Sequence, residues 1–335
     1  MGLGQIFSQQ IRRARDRPMA HRQLNGKLVT IFGGGGFIGH YVAQLLMDEG
    51  ARIRIAERQP KDAYAIRPLG KLGQTQFVPA DVTKPDTVAA ACAGADIVIN
   101  LVGTIAGDFD GVNARGAKHI AEAAKAHGVQ HLVHVSAIGA DSASEAAYAR
   151  TKGEGEAAVR AAFPEAVILR PSIVFGREDK FINKFAGYFS GLNLMPIVMG
   201  KTRLQPVYVE DVAQAVRAAI LEAPATQGQT YELGGPEIST MKGLLFWIGR
   251  ATGQTVYPLD IPDFISGLAA RLTGWLPGAP VTYEQWLMLQ KDVVVSEGAK
   301  TLADLGVSAT PIAAVAEPWL VQYRTNGRFG NKARA

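Results

Sequence analysis

The chain is 335 residues long, 47% hydrophobic and 19% charged, with a formal net charge of +5 and one cysteine, Cys92. That is enough apolar mass for one large α/β domain with an appended lobe, or for two domains. No apolar run reaches the ~18 residues of a bilayer crossing, and a lone cysteine allows no internal disulfide, which suits a reducing compartment.

In chain order the first segment is a basic arm, residues 1–27, with six Arg/Lys and one Asp. Its opening, MGLGQIFSQQIRRARDR, has no apolar core of the secretory kind and places Ile6 where myristoylation asks for Ser or Thr; a basic organelle-targeting peptide stays open. The apolar run Leu28–Phe32 reads as a strand. Gly33, Gly36 and Gly39 follow at G-x-x-G-x-x-G spacing, enclosing Phe37 and Ile38, and then come Tyr41, Val42, Leu45 and Leu46 on one helical stripe. A strand, a glycine turn and a helix start in that order make a dinucleotide site. The first glycine allows a turn with positive φ, the second lets backbone approach the pyrophosphate, and the third lets helix and strand pack closely. The phosphates would face the free N–H groups of the helix start.

Further strands are expected at Arg52–Ala56, Gln76–Val78, Asp96–Leu101, Leu132–Ser136 and Ala166–Leu169, with helices between them such as Val112–Ala126 and Tyr148–Ala162. This alternation predicts a Rossmann-like, doubly wound parallel sheet over residues 28–175. After the second strand, Glu57 suits a ribose 2′-hydroxyl and Arg58 a 2′-phosphate. Arg54 and Lys61 nearby tilt the reading towards NADP(H) over NAD, with Glu57 pointing away. Asp81-Val82 is placed to meet the adenine edge or to cap its own loop, and the two roles are compatible. Asn100-Leu101-Val102-Gly103 closes the fourth strand, where small residues let backbone lie along a cofactor.

Ser136 ends the fifth strand, and Tyr148-Ala-Arg-Thr-Lys152 follows it. Residues four apart share a helix face, so Lys152 would lower the pKa of Tyr148 and reach the ribose. Tyr148 would act as acid/base on a carbonyl or alcohol oxygen held by Ser136.

From Gly176 the pattern turns irregular. The helix Asp211–Leu221, capped by Asp211, and the strand Thr230–Leu233 are expected to return to the first domain, leaving a mixed lobe over 176–317. Within it, residues 261–277 (IPDFISGLAARLTGWLP) place Phe264, Ile265, Leu268, Leu272, Trp275 and Leu276 near helical spacing. That stripe suits a membrane interface, a partner helix or ordinary core packing. Residues 318–335 form a second basic tail, four Arg/Lys and no acid. Such tails bind polyanions, membrane headgroups or acidic protein surfaces, or are simply solvated ends. No metal site is expected, since His131 and His134 lie three apart on a strand. No hydrolase elbow G-x-S-x-G occurs, and nucleic acid is an unlikely ligand for a mildly acidic body.

The stretches GGGGFIGH, Asp81-Val82, Val112-Asn113-Ala-Arg-Gly116, HLVHVSAIG and YARTKGEGE resemble the extended or atypical branch of the short-chain dehydrogenase/reductase superfamily. Phe32 replaces the usual Thr before the first glycine. The twelve-residue step from Ser136 to Tyr148 is shorter than nucleotide-sugar epimerases usually have. RPSIVFGREDKFINKFA (170–186), LQPVYVEDVAQAV (204–216) and LGVSATPI (305–312) resemble the nucleotide-binding accessory subunits of respiratory complex I and their bacterial relatives. That resemblance implies a tightly held NADPH, with Asn113, Pro171 and Ile173 among its contacts and Ser136, Tyr148 and Lys152 possibly vestigial. It also implies docking with complex I subunits, peripherally, on the cytoplasmic face of a bacterial inner membrane or the mitochondrial matrix side. A stand-alone NADP-dependent reductase of a quinone- or isoprenoid-type substrate is the alternative, and an epimerase a weaker one.

Overall fold

A computed structural model describes residues 23–189, 194–255, 257–273, 282–324 and 327. The basic arm up to residue 22, most of the tail after residue 324, and Trp275 and Leu276 lie outside the described residues.

The order is β1 (Leu28–Phe32), α1 (Phe37–Asp48), β2 (Arg52–Glu57), a 3-10 stretch Pro60–Leu69, β3 (Thr75–Pro79), α2 (Pro85–Cys92), β4 (Ile97–Asn100), a π turn Asp110–Arg115, α3 (Gly116–Ala126), β5 (His131–Val135), α4 (Ala147–Ala162) and β6 (Val167–Pro171). Then come β7 (Val174–Phe175), α5 (Ile182–Phe189), β8 (Leu194–Ile197), β9 (Arg203–Leu204), β10 (Val207–Tyr208), α6 (Val209–Leu221), β11 (Thr230–Leu233), β12 (Ser239–Thr240), α7 (Met241–Ala251), β13 (Tyr257–Asp260), α8 (Asp263–Thr273) and α9 (Tyr283–Leu289).

Seven strands form one sheet in the order β3-β2-β1-β4-β5-β6-β11. The β1 register pairs Val29 with Ile53 on one side and with Ile97 on the other, both parallel. Ile168 and Ser172 donate N–H to Gln229 and Leu233, four residues on in each strand, so β11 runs parallel too. Parallel strands covered on both faces are apolar throughout, and Val29, Ile31, Ile53, Ile55, Val98 and Ile99 are fully buried. Asp96 is not strand: its carboxylate accepts from Leu28 N–H (2.8 Å) and from Lys27 (3.0 Å), tying the entrances of β1 and β4 together.

The chain divides into two compact units. The first holds residues up to Ser136, Gly153–Leu169 and Ala213–Thr230; the second holds Ala137–Lys152, Arg170–Val212 and Tyr231 onward. A core of Phe32, Val98, Leu132, Ile120, Val159 and Phe163, with Cys92 among them, fills one side of the first unit. The second unit has its own core around Phe175, Ile182, Phe189, Leu204, Leu245, Ile248 and Leu320.

Two expected elements differ in detail. The helix read over Val112–Ala126 opens as a π turn, because Asn113 turns its carboxamide back onto Thr104, accepting from its N–H (2.9 Å) and donating to its carbonyl (3.1 Å). Asp211 is no cap: α6 already begins at Val209, and the Asp211 carboxylate accepts from both the N–H (2.7 Å) and the hydroxyl (2.9 Å) of Thr310. In α8 the small residues Ser266 and Ala270 are buried while Phe264, Leu268 and Leu272 stand 77%, 60% and 62% exposed, so core packing does not account for these three residues of the stripe. Among the described residues no helix is long and apolar enough to cross a membrane.

Candidate functional site

The first unit carries the glycine loop. Gly33 has φ +77°, and a Cβ there would meet the Leu101–Val102 backbone at 3.2 Å. Only glycine fits both demands. A Cβ on Gly39 would run into the carbonyls of Gly33 and Gly34, so α1 starts hard against the loop. Gly36 is the N-cap, with no side chain capping it and no acid in the first turn. The N–H groups of Phe37, Ile38 and Gly39 therefore open on a positive helix end, the electrostatic condition for phosphate.

Glu57 does not point away. Its Oε1 accepts from Gly35 N–H at 2.8 Å, on the loop itself. Burial pushes its carboxyl above the ordinary range, against the pull of that hydrogen bond and of Arg58. Arg58 is exposed beside it. Arg54 does not serve the site: its guanidinium donates to the carbonyls of Ala91 (2.8 Å) and Ala93 (2.7 Å), at the negative end of α2, and to Gln76 (2.9 Å). Burial lowers the Arg54 pKa.

At the end of β3, the Asp81 carboxylate accepts from the N–H (3.0 Å) and hydroxyl (2.8 Å) of Thr83, which together hold its pKa below the usual range. It caps its own loop. Val82 is buried, its carbonyl taking His119 Nδ1 at 2.8 Å, and its side chain fills the space that a Cβ on Gly116 would need. Beyond β4, Leu101 N–H donates to the Phe32 carbonyl (3.0 Å) and Gly103 is exposed. Asn100, first residue of that strand-closing stretch, pins this turn: its Oδ1 accepts from Val102 N–H (3.0 Å) and its amide meets His134 Nδ1 (3.0 Å). A polar residue closing a fully apolar strand was the available signal. Asn113 helps shape the neighbouring loop through its two bonds to Thr104. Ser136 continues β5 by donating its N–H to Leu169 (2.7 Å), and its hydroxyl is buried with no protein partner among the described residues. A buried orphan hydroxyl is costly unless something else bonds it.

The second unit carries Tyr148, Lys152, Pro171 and Ile173. Tyr148 and Lys152 lie one turn apart at the start of α4. Lys152 is 4% exposed. Burial pushes the Tyr148 phenol up to about 12, so at neutral pH it is protonated and can donate a hydrogen bond. The Pro171 carbonyl accepts from Ile138 N–H (3.0 Å) and that of Ile173 from Val207 N–H (2.9 Å). These bonds order the loops after β5 and β6. Among the described residues no group of acids, histidines and cysteines could hold a metal.

The NAD dependent epimerase/dehydratase family matches residues 29–234. The mitochondrial NADH dehydrogenase (ubiquinone) 1 alpha subcomplex subunit 9 of Rattus norvegicus is 35% identical over 309 residues, 90% of this chain and 82% of its own length. The corresponding protein of Dictyostelium discoideum is 33% identical over 299 residues, 87% of this chain and 83% of its own. Among solved structures, the triphenylmethane reductase of Citrobacter sp. superposes with a TM-score of 0.70 at 17% identity, covering 88% of this chain and 98% of that one; this likeness concerns the fold.

Proposed function

The chain belongs to the NAD dependent epimerase/dehydratase family, and on that premise we propose that it is a nucleotide-holding accessory subunit of respiratory complex I. The observation that carries this reading is the similarity to alpha subcomplex subunit 9, which spans 90% of this chain and so includes the second unit as well as the glycine loop. The residues present fit a nicotinamide dinucleotide. Gly33 has the backbone conformation, the uncapped start of α1 has the charge, and the buried Ser136 hydroxyl lacks a bond that a ligand would supply.

When bound, the nicotinamide supplies hydride chemistry. The chain's own contribution is to bind and order: Gly33 to Gly39 on the pyrophosphate, Glu57 and Arg58 around the adenosine ribose, Ser136, Tyr148 and Lys152 towards the nicotinamide half. NADP(H) is favoured over NAD because Arg58 is exposed next to Glu57. Held without turnover, the nucleotide acts as an internal staple, since a ligand bound only by the folded state stabilises by about 4 kcal/mol at a thousandfold excess over Kd. The exposed face of α8 and the basic tails would rest on anionic headgroups, with the protein peripheral on the cytoplasmic or matrix side.

The retained Ser136, Tyr148 and Lys152 favour a second reading, a stand-alone NADP-dependent reductase in which the protonated Tyr148 donates to a carbonyl oxygen. Chromosomal replacement by Tyr148→Phe separates the two. The accessory reading expects wild-type levels of assembled complex I and unchanged NADH:quinone activity. The reductase reading expects a soluble activity that falls at least about a hundredfold, the usual size of a general-acid contribution.

A further inference from the structure

Helix α4 opens at Ala147, with Tyr148 in its first turn, and the residue before it brings no side-chain cap. That residue, Ala146, has no side-chain acceptor, so the first N–H groups must find a partner elsewhere. The Ala147 N–H donates to Glu284 Oε2 at 2.8 Å, from a residue 137 positions away in the second unit. A carboxylate at a helix N-terminus is favoured by both the hydrogen bond and the dipole.

Glu284 is itself held in place. It sits in the first turn of α9, which Thr282 and Gln285 close with a reciprocal capping box. Two residues on, Trp286 donates its indole N–H to Ser266 Oγ (3.1 Å), and its ring covers Gly267 so closely that a Cβ there would lie 2.6 Å from it. Tyr283 stacks on the same indole at 5.9 Å. Beyond α9, Lys291 reaches Asp141 (3.8 Å), whose N–H donates to the Ala149 carbonyl (3.0 Å) and whose Oδ1 accepts from Ala143 (2.9 Å). Segment 282–291 thus grips the loop before α4 at one point and the first turn of α4 at another.

We propose that Glu284 is the positioning residue for Tyr148, supplying from elsewhere in the same chain the cap that fixes the first turn of α4 and with it the phenol and the Lys152 ammonium. This rests on the reading that Tyr148 contacts a bound nucleotide. It concerns no step of chemistry, so it applies to a held nucleotide as much as to one turned over.

The test uses the full-length protein, NADPH as the probe, and two measurements. In NADPH titrations, Glu284→Ala should raise Kd about fivefold, the equivalent of one helix cap, whereas Glu284→Gln, which keeps an acceptor oxygen, should restore most of the affinity. In the Tyr148→Phe background, Glu284→Ala should add nothing further, because the two residues act as one unit. An equal fold-loss in both backgrounds would overturn the proposal, since a general loosening of the lobe is additive. In amide exchange, residues 147–150 should open faster in Glu284→Ala and normally in Glu284→Gln. If Tyr148→Phe alone leaves Kd unchanged, the nucleotide reading of Tyr148 fails and exchange decides: protection lost in Ala and regained in Gln upholds the cap, and unchanged protection in Ala rejects it.

Discussion

Gly33 is the residue on which the nucleotide reading presses hardest. At φ +77° with backbone 3.2 Å from a would-be Cβ, Gly33→Ala meets both strain and a tight backbone contact. Expected are a stability loss of about 1–3 kcal/mol and an NADPH Kd raised at least about tenfold, read by urea melts and fluorescence titration. Arg58→Ala should weaken NADPH far more than NADH; equal losses would remove the 2′-phosphate assignment. Glu57 gives a pH signature. Its carboxyl is raised in the fold from an ordinary 4.5, so the folded chain holds that proton more tightly than the unfolded one. The resulting stability is full below 4.5 and is lost as pH climbs to the higher folded value. Glu57→Gln keeps an acceptor for Gly35 and should flatten that decline, which melts at about pH 4 and about pH 7 will show.

At the scale of elements, Arg54 tests whether a charge near the site belongs to it. Its bonds to Ala91 and Ala93 stitch β2 to the end of α2. Arg54→Ala should cost about 1–2 kcal/mol in stability and leave the ratio of NADPH to NADH affinity as it was, in contrast to Arg58→Ala. The sequence alone carried β1 to β6 to within about two residues at each end, because strands buried on both faces are written as uninterrupted apolar runs. The glycine loop and the Tyr148–Lys152 pair were legible for a similar reason, each being a local spacing. What stayed hidden is non-local. Asp211 looked like a cap because nothing near it in sequence announces Thr310, 99 residues on. Glu57 seemed free to turn outward because Gly35 lies 22 residues back. Arg54 read as part of the basic cluster around Arg58, yet the end of α2, 37 residues on, takes its guanidinium. Strands of two residues, such as β9 and β12, are too short to show any period.

On the function proposed above, the whole molecule is a family fold kept for binding and assembly. A buried orphan hydroxyl at Ser136, a phenol pushed up to about 12 at Tyr148 and an uncapped helix start at Gly36 suit gripping a nucleotide as well as using one. The apolar residues that α8 turns outward, with Ser266 and Ala270 turned in, suit a protein that ends against another surface. The most direct measurement is a pull-down from gently solubilised native membranes through a tag near residue 335, with bound nucleotide identified by mass spectrometry. The account predicts complex I subunits together with about one NADPH per copy of this chain. Recovery of a lone soluble protein whose nucleotide exchanges freely would contradict it.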